Sequence, residues 1–540
     1  MDGASALTLS FGGVGLFLLG MALMTDGLKL AAGPALGRLL ASSTQTRLRG
    51  LASGILVTAL VQSSSAVTVA AIGFVNAGLL SFGQTLWVLF GANVGTTMTG
   101  WLVALIGLKI KIEAAALPLV GVGMALQLSG GEGRRPAIGQ VLAGFGVLFI
   151  GIGFMQQAFS NSGEGLDLAR LGGHGVLSTL AFVMAGAVLT MLMQSSSASL
   201  AVVLTLAQTG VLPLSEAAAG VIGANIGTTI TAILAALGAT PNARRAAAAH
   251  VLFNLITGFV ALLLLPGLIR AVDGLQQAFG LDASPAINLA LFHSVFNLLG
   301  VALMWPLAGR MESALSARFG PRDERLRPRY LDRNVASVPA LAIKALDLEL
   351  RRLGGMCIAE LREAVHRPAS GTPTRVMPLA GAAGLVAQVE EFVTGLSRRS
   401  MSSETAAQLA AQLRVLHYYE NCSEQLAAMH KARKLTIGSD VAEPLIELER
   451  KADRLLRQFD PQGEDFAPQQ RDRESEFEAS YQRVKAEVLA AGASDRLELD
   501  VMDTSLHGLS ALRRALDQAG KAARLLEHAH VADDAGKATA

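Results

Sequence analysis

Gln62-Ser63-Ser64-Ser65 and Gln194-Ser195-Ser196-Ser197 each set an amide and three hydroxyls inside a long apolar stretch. In hydrocarbon, unpaired donors and acceptors cost several kcal/mol each, so something polar must meet them. A helix that begins at or just after such a phrase has a serine as N-cap. It presents free backbone N–H groups and the positive end of its dipole, and together these attract anions. The hydroxyls can donate to an oxyanion and can also offer oxygen to a sodium ion. Neither phrase holds a Lys or Arg. Neutral donors release a dianion more readily than an arginine clamp, and co-bound cations can supply the compensating charge. That chemistry suits coupled transport better than tight scavenging.

A second phrase follows each copy: Gly91-Ala92-Asn93-Val94-Gly95-Thr96-Thr97 and Gly223-Ala224-Asn225-Ile226-Gly227-Thr228-Thr229. Both phrases recur at one offset of 132 residues (62 to 194, 93 to 225), which marks an internal duplication. Asn93, Thr96 and Thr97 fall at i, i+3 and i+4, one face of a helix, as do Asn225, Thr228 and Thr229. Amide and hydroxyl oxygens with unwound carbonyls suit a hard, weakly held cation such as sodium. A third phrase, His250-x-x-Phe253-Asn254, returns as His293-x-x-Phe296-Asn297. Its first reading is helix–helix hydrogen bonding, in which such side chains join neighbouring spans. No carboxylate lies deep in a span, so sodium coupling is favoured over a proton relay.

The elements that position these phrases are apolar segments at Leu7–Thr25, Leu51–Leu80, Trp87–Leu108, Ala114–Leu128, Ile138–Phe159, Val176–Val211, Ala217–Leu237, Ala246–Leu268 and Ala286–Leu307. Leu51–Leu80 and Val176–Val211 are the ones broken by Gln-Ser-Ser-Ser. Gly13, Gly15, Gly20 and Met24 match Gly144, Gly146, Gly151 and Met155 at an offset of 131, so the duplication includes the opening helix. Lys and Arg collect on the cytoplasmic side. The loop at Lys29–Arg49, the pairs Arg134/Arg135 and Arg244/Arg245, and everything after Arg310 therefore read as inside. Asn161–Gly173 and Asp273–Ser284 read as outside. Each broken segment then enters and returns on one side as a re-entrant hairpin, the first from inside and the second from outside. Lys109 and Lys111 would lie outside, against the rule. The result is an inverted-topology repeat, an arrangement that in secondary transporters places the substrate site near the midplane at the repeat interface.

The chain is 51% hydrophobic and 16% charged, with a mean hydropathy of +0.44, but the two halves differ. From Met311 onward no apolar run approaches the ~20 residues of a membrane span. The expected fold class is all-α: a polytopic membrane domain (1–309; repeat one about 7–130, repeat two about 137–268, extra helix 286–307), a linker (310–334), a soluble helical bundle (335–530) and a disordered tail (531–540). A formal net charge of +2, with no basic run interleaved with aromatics, argues against nucleic acid. Met1-Asp2-Gly3 lacks the basic start of a secretory signal. Cys357 and Cys422 lack metal-ligand spacing and read as free thiols. A serine hydrolase is disfavoured for want of a base, an orienting acid and a strand–Gly-x-Ser-x-Gly turn. No enzymatic activity is expected.

The doubled Gln-Ser-Ser-Ser and Gly-x-Asn-x-Gly-Thr-Thr phrases resemble the sodium/phosphate cotransporter family, related to the type II sodium–phosphate cotransporters, over roughly residues 7–309. The resemblance implies sodium-coupled transport of inorganic phosphate across the inner membrane, with sodium as coupling ion and no other cofactor. It also implies that Gln62, Ser63, Ser64, Ser65 and Gln194, Ser195, Ser196, Ser197 form the phosphate and sodium sites. Which serine meets which ion is not given by the motif, and a homodimer is left open. The second half resembles the PhoU-like domain fused to some bacterial members, here as six helices (Val335–His366, Pro378–Arg399, Glu404–Lys434, Glu443–Phe459, Arg471–Ala491, Arg496–His530) in the cytoplasm. PhoU proteins bind metal clusters through repeated acidic pairs. Glu449 and Asp453 supply one such pair, in a charged helix where a solvated face is the plainer reading. A phosphate sensor with little net transport is the alternative function.

Overall fold

The computed structural model describes residues 3–32, 44–107, 112–129, 134–160, 175–237, 239–319, 327–336, 338–366, 381–396, 401, 403–433 and 439–538. The chain divides into two compact units, residues 1–75 with 79–320, and residues 76–78 with 321–540. All regular elements among the described residues are helices.

The first unit begins with α1 (Gly3–Ala32), α2 (Arg47–Val61), α3 (Ser64–Asn76), α4 (Phe82–Gly95), α5 (Thr97–Leu102, running into a π turn at Val103–Gly107) and α6 (Ile112–Leu128). The series then returns as α7 (Arg134–Ser160), α8 (Val176–Met193), α9 (Ser196–Gln208), α10 (Leu214–Gly227), α11 (Thr229–Ala236) and α12 (Pro241–Leu263). Two further helices follow, α13 (Leu265–Ala278) and α14 (Pro285–Arg318). Helix starts follow local rules. Thr240 and Ser284 cap α12 and α14 through their hydroxyls, each followed by Pro at N1, where no N–H is needed.

Repetition extends to the packing. A Cβ on Gly54 would lie 2.2 Å from the Val88 carbonyl, and one on Gly91 2.1 Å from that of Leu51. In the second copy a Cβ on Gly186 would lie 2.1 Å from the Gly220 carbonyl, and one on Gly223 2.0 Å from that of Val183. Thus α2 packs on α4, and α8 on α10, with backbones nearly touching, as small residues permit between membrane helices. Helices α1 and α7 join the copies. A Cβ on Gly20 would meet Leu148 and Gly144, and one on Gly13 would meet Gly151 and Met155. Early residues of α1 thus meet late residues of α7, so the two run antiparallel. Since 13 pairs with 151 and 20 with 144, the contact is also self-complementary, as across a two-fold axis.

Helix α14 serves as a ruler. At its start Ala286 N–H donates to Gln208 Oε1 at the end of α9 (3.3 Å). Towards its other end the Trp305 carbonyl accepts from Arg47 Nη1 at the start of α2 (3.5 Å), and the Phe319 carbonyl beyond it accepts from Arg245 Nη2 (3.0 Å). From 286 to 305, at 1.5 Å per residue, is about 28 Å. The base of the first hairpin and the base of the second therefore lie about 28 Å apart along one helix.

Seven described helices are long and apolar enough to cross a membrane: Ser5–Ala32, Phe82–Leu105, Arg134–Ser160, Val176–Met193, Leu214–Ala236, Pro241–Leu263 and Pro285–Arg318. Six coincide with the expected crossings. The seventh, Val176–Met193, is the first arm of the second broken segment. The expected crossing at Ala114–Leu128 shows a shorter apolar helix, Ala115–Leu128. Lys109, Lys111 and the loop 161–173 lie outside the described residues.

Three boundaries shift. The expected span Ala246–Leu268 ends at Leu263, where a bent Leu264 and Pro266 start the separate amphipathic helix α13. Helix α14 passes residue 309 and continues to Arg318, because Met311 and Leu315 go on burying one apolar face. The first unit therefore reaches residue 320 and takes in part of the expected linker. The last helix runs to Ala538, past the expected end at 530.

The second unit contains α15 (Arg333–Ala336), α16 (Pro339–Val365), α17 (Gly381–Thr394), α18 (Ser403–Arg433), α19 (Ser439–Phe459), α20 (Asp472–Ala493) and α21 (Leu499–Ala538). The last six match the expected six helices. Their apolar stripes interlock around Leu350, Leu353, Cys357, Tyr419, Cys422, Leu448 and Leu456, all fully buried. Asp453 accepts from Arg362 Nε (2.7 Å) and Arg457 Nε (2.9 Å), and His366 Nε2 lies 3.1 Å away. Its carboxylate oxygens are thus already engaged by cationic partners, and no group of three metal-ligating side chains occurs among the described residues. Burial works to raise the Asp453 pKa, but the facing guanidiniums outweigh it and hold the group below the usual carboxylate range. A depressed folded pKa gives stability that is present above the unfolded value near 3.9 and lost as pH falls through the folded one. Asp453→Asn is therefore expected to cost roughly 1–3 kcal/mol at neutral pH. In melting curves recorded from pH 7.5 down to 3.5 its deficit against the parent should shrink towards the acid end. A deficit that does not vary with pH would remove the charge from the explanation.

Candidate functional site

Each Gln-Ser-Ser-Ser phrase is a tight corner between two helices. Gln62 ends α2 in the left-handed region (φ 56°), and Gln194 ends α8 in the same way (φ 53°). These two and Asp495 are the non-glycine residues with positive φ among those described. Left-handed C-caps are usually Gly or Asn. Here the glutamine side chain ties itself down, Gln62 Nε2 to the Ala59 carbonyl and Gln194 Nε2 to the Met191 carbonyl (3.1 Å). The next residue caps the following helix: Ser63 Oγ accepts from Ala66 N–H and Ser195 Oγ from Ala198 N–H, each at 3.2 Å. The chain then folds back, with Ser199 Oγ of α9 donating to the Gly186 carbonyl of α8 (3.5 Å).

Labour is therefore divided among the serines. Ser63 and Ser195 are caps. Ser64 and Ser196 are half-buried at the first helical position, where backbone N–H groups have no helical partner. Their hydroxyls engage nothing within the chain among the described residues. Ser65 is exposed while its counterpart Ser197 is buried.

The second phrase also interrupts a helix, at Thr96 between α4 and α5 and at Thr228 between α10 and α11. Thr96 Oγ1 donates to the Asn93 carbonyl (2.6 Å) and Thr97 Oγ1 to that of Val94 (2.7 Å). Thr228 and Thr229 repeat both bonds at the same lengths. Thr96 and Thr228 keep right-handed helical dihedrals, so each break is a single turn rather than an unwound segment; having given their protons, these hydroxyls keep lone pairs that a cation can use.

What joins the copies is a residue outside both phrases as the sequence had delimited them. Thr99 of α5, 2% exposed, donates its hydroxyl to Gln62 Oε1 (2.8 Å) and lies 3.3 Å from Ser197 Oγ. Its one proton goes to Gln62, so Ser197 is the donor of the second bond. Gln62 of the first corner and Ser197 of the second thus share one partner. Helix α5 is held there because a Cβ on Gly100 would meet Leu200 of α9, and Trp101 Nε1 donates to Ser294 of α14 (2.9 Å). Thr99 does carry a sequence signal: Thr96-Thr97-x-Thr99 repeats as Thr228-Thr229-x-Thr231. Thr99 and Thr231 each stand two residues beyond the end of their phrase.

The other members are not gathered. Gln194 is exposed, and Thr231 Oγ1 turns to the Thr228 carbonyl (2.7 Å). Asn93 Nδ2 donates within its own helix to Leu89 (2.9 Å), whereas Asn225 reaches across to α14. Glu449 and Asp453 belong to the second unit.

A family model described as Na+/Pi-cotransporter matches residues 16–157 and 168–283, and each segment holds one copy of both phrases. The chain is 33% identical over 297 residues to the uncharacterized protein YqeW of Bacillus subtilis (strain 168), covering 54% of this chain and 91% of that one. It is 26% identical over 449 residues to YjbB of Escherichia coli (strain K12), named as a candidate inorganic phosphate export protein, covering 81% of this chain and 78% of the relative. The human sodium-dependent phosphate transport protein 2B is 33% identical over a shorter stretch of 114 residues, 21% of this chain and 16% of that one. No solved structure matches.

Proposed function

This chain belongs to the Na+/Pi-cotransporter family, and from that premise we propose that its first unit moves inorganic phosphate across the cytoplasmic membrane, coupled to sodium, by alternating access where the two hairpin corners meet. The observation that carries this reading is the Gln62–Thr99–Ser197 contact, made by residues of both repeats and lined by neutral oxygens. Phosphate would be met by the first-turn N–H groups of α3 and α9 and by the Ser64 and Ser196 hydroxyls, which have no other partner. Sodium would be met by hydroxyl oxygens around the two helix breaks and by an amide oxygen beside them.

The inverted topology belongs to the same proposal. Antiparallel, self-complementary packing of α1 on α7 supports it, because a two-fold axis perpendicular to two spans lies in the membrane plane. The wide separation of the hairpin bases along α14 supports it independently. The corners are then re-entrant, and the second unit is a cytoplasmic, PhoU-like regulatory bundle.

Labelled-phosphate flux in proteoliposomes tests the coupling. Flux should rise with an imposed sodium gradient and collapse when choline replaces sodium. Flux unchanged by that replacement would refute the coupling, and binding without flux would favour a sensor. The name of the E. coli relative points outward, so everted vesicles are the right preparation for direction. Ser196→Ala is expected to raise the phosphate or sodium concentration for half-maximal flux at least tenfold, with normal insertion. Unchanged half-saturation for both ions would take this serine out of the site.

A further inference from the structure

The His-x-x-Phe-Asn phrase of α14 has no part in the transport reading, yet it is bonded to one of the repeated phrases. Asn297 Nδ2 donates to the His293 carbonyl (2.9 Å). A carbonyl can only accept, so this bond fixes the Asn297 amide with its Oδ1 turned outward. That oxygen in turn accepts from Asn225 Nδ2 (3.2 Å). Asn225 Oδ1 is thereby turned to His293 Nε2 (3.2 Å), which must carry the proton. The three bonds close a ring, and the side chains of Asn225, His293 and Asn297 are 5%, 3% and 0% exposed. Both ends of the Asn225 carboxamide are engaged, its oxygen by His293 and its nitrogen by Asn297.

The other repeat differs. Asn254 Nδ2 donates to the His250 carbonyl at the same 2.9 Å, so the phrase on α12 has the same internal bond. Asn93 does not join it. Asn93 Nδ2 donates to Leu89, and its Oδ1 has no partner among the described residues. Two phrases with the same local geometry at their threonines therefore differ at their asparagines.

We propose that His293 and Asn297 are positioning residues that make Asn225 a joint between α10 and α14, leaving Asn93 as the repeated asparagine whose amide oxygen can hold the coupling cation. The two Asn-x-Gly-Thr-Thr phrases are then unequal, one a ligand and one a hinge pin. This rests on the sodium-coupled reading above.

Sodium titration of phosphate flux in proteoliposomes separates the roles. Asn93→Ala should raise the sodium concentration for half-maximal flux at least tenfold. Asn225→Leu and His293→Leu should lower maximal flux about tenfold with half-saturation changed less than twofold. His293→Gln, which keeps an Nε2 donor, should recover most of the maximal flux. The double variant should be no worse than either single one, because both break the same ring. An equal rise in sodium half-saturation for Asn93→Ala and Asn225→Leu would overturn the proposal, as would His293→Gln behaving like His293→Leu. Parental flux indifferent to sodium would instead fail the coupling reading. The ring would still be decided by melting of the detergent-purified protein, where additive losses in Asn225→Leu and His293→Leu would refute it.

Discussion

Thr99→Val should reduce phosphate flux roughly 5- to 150-fold in proteoliposomes with unchanged protein content. Valine keeps the shape but removes the hydroxyl that Gln62 and Ser197 share. Gln62 Oε1 and the Ser197 hydroxyl would then lack a partner in a buried setting, at about 1–3 kcal/mol, or roughly a factor of 5 to 150. Thr99→Ser restores the hydroxyl without the methyl and should recover most of the flux. Thr231→Val is the matched control. Thr231 bonds only its own helix at Thr228, and its loss should matter less in the conformation described. Full flux from Thr99→Val would show that the contact between corners is incidental to transport.

Gly223→Val should prevent accumulation of folded protein. Its Cβ would stand 2.0 Å from the Val183 carbonyl oxygen, with backbone carbon atoms of the same residue at 2.7 and 2.9 Å. Overpacking against side chains costs about 1–3 kcal/mol because they can rotate away. A neighbouring backbone cannot, so α8 and α10 would have to part along the length that positions the second corner. Gly91→Val should fail in the same way against Leu51. Gly12→Ala, with nothing within 4 Å, should be indistinguishable from the parent in size-exclusion profile and melting temperature. A monodisperse, heat-stable Gly223→Val protein would mean that the close approach of α8 and α10 is not required.

Much of this was legible in the residues themselves. The offset of 132 announced the duplication, and the serines of each phrase announced a capped helix start. Apolar length foretold most of the spans, and the six helices of the second unit followed from their periodic stripes. Each of these is local: a cap, a run or a repeat is decided within a few residues by backbone hydrogen bonding and hydrophobic periodicity.

What sequence could not supply was correspondence at a distance. The break in α4 at Thr96 left Thr99 on a new short helix, facing a serine 98 positions further on. Nothing local marks that meeting. Nor could such similar phrases reveal that Asn225 is tied to His293 and Asn297 while Asn93 is not, since the two differ only by Val94 against Ile226. The partners of Asn225 come from α14, which follows both repeats. By itself the sequence determined that there are two like halves and which polar phrases each carries. Tertiary structure decided which residues of those halves touch, because a single helix packed against a duplicated pair cannot meet both copies in the same way.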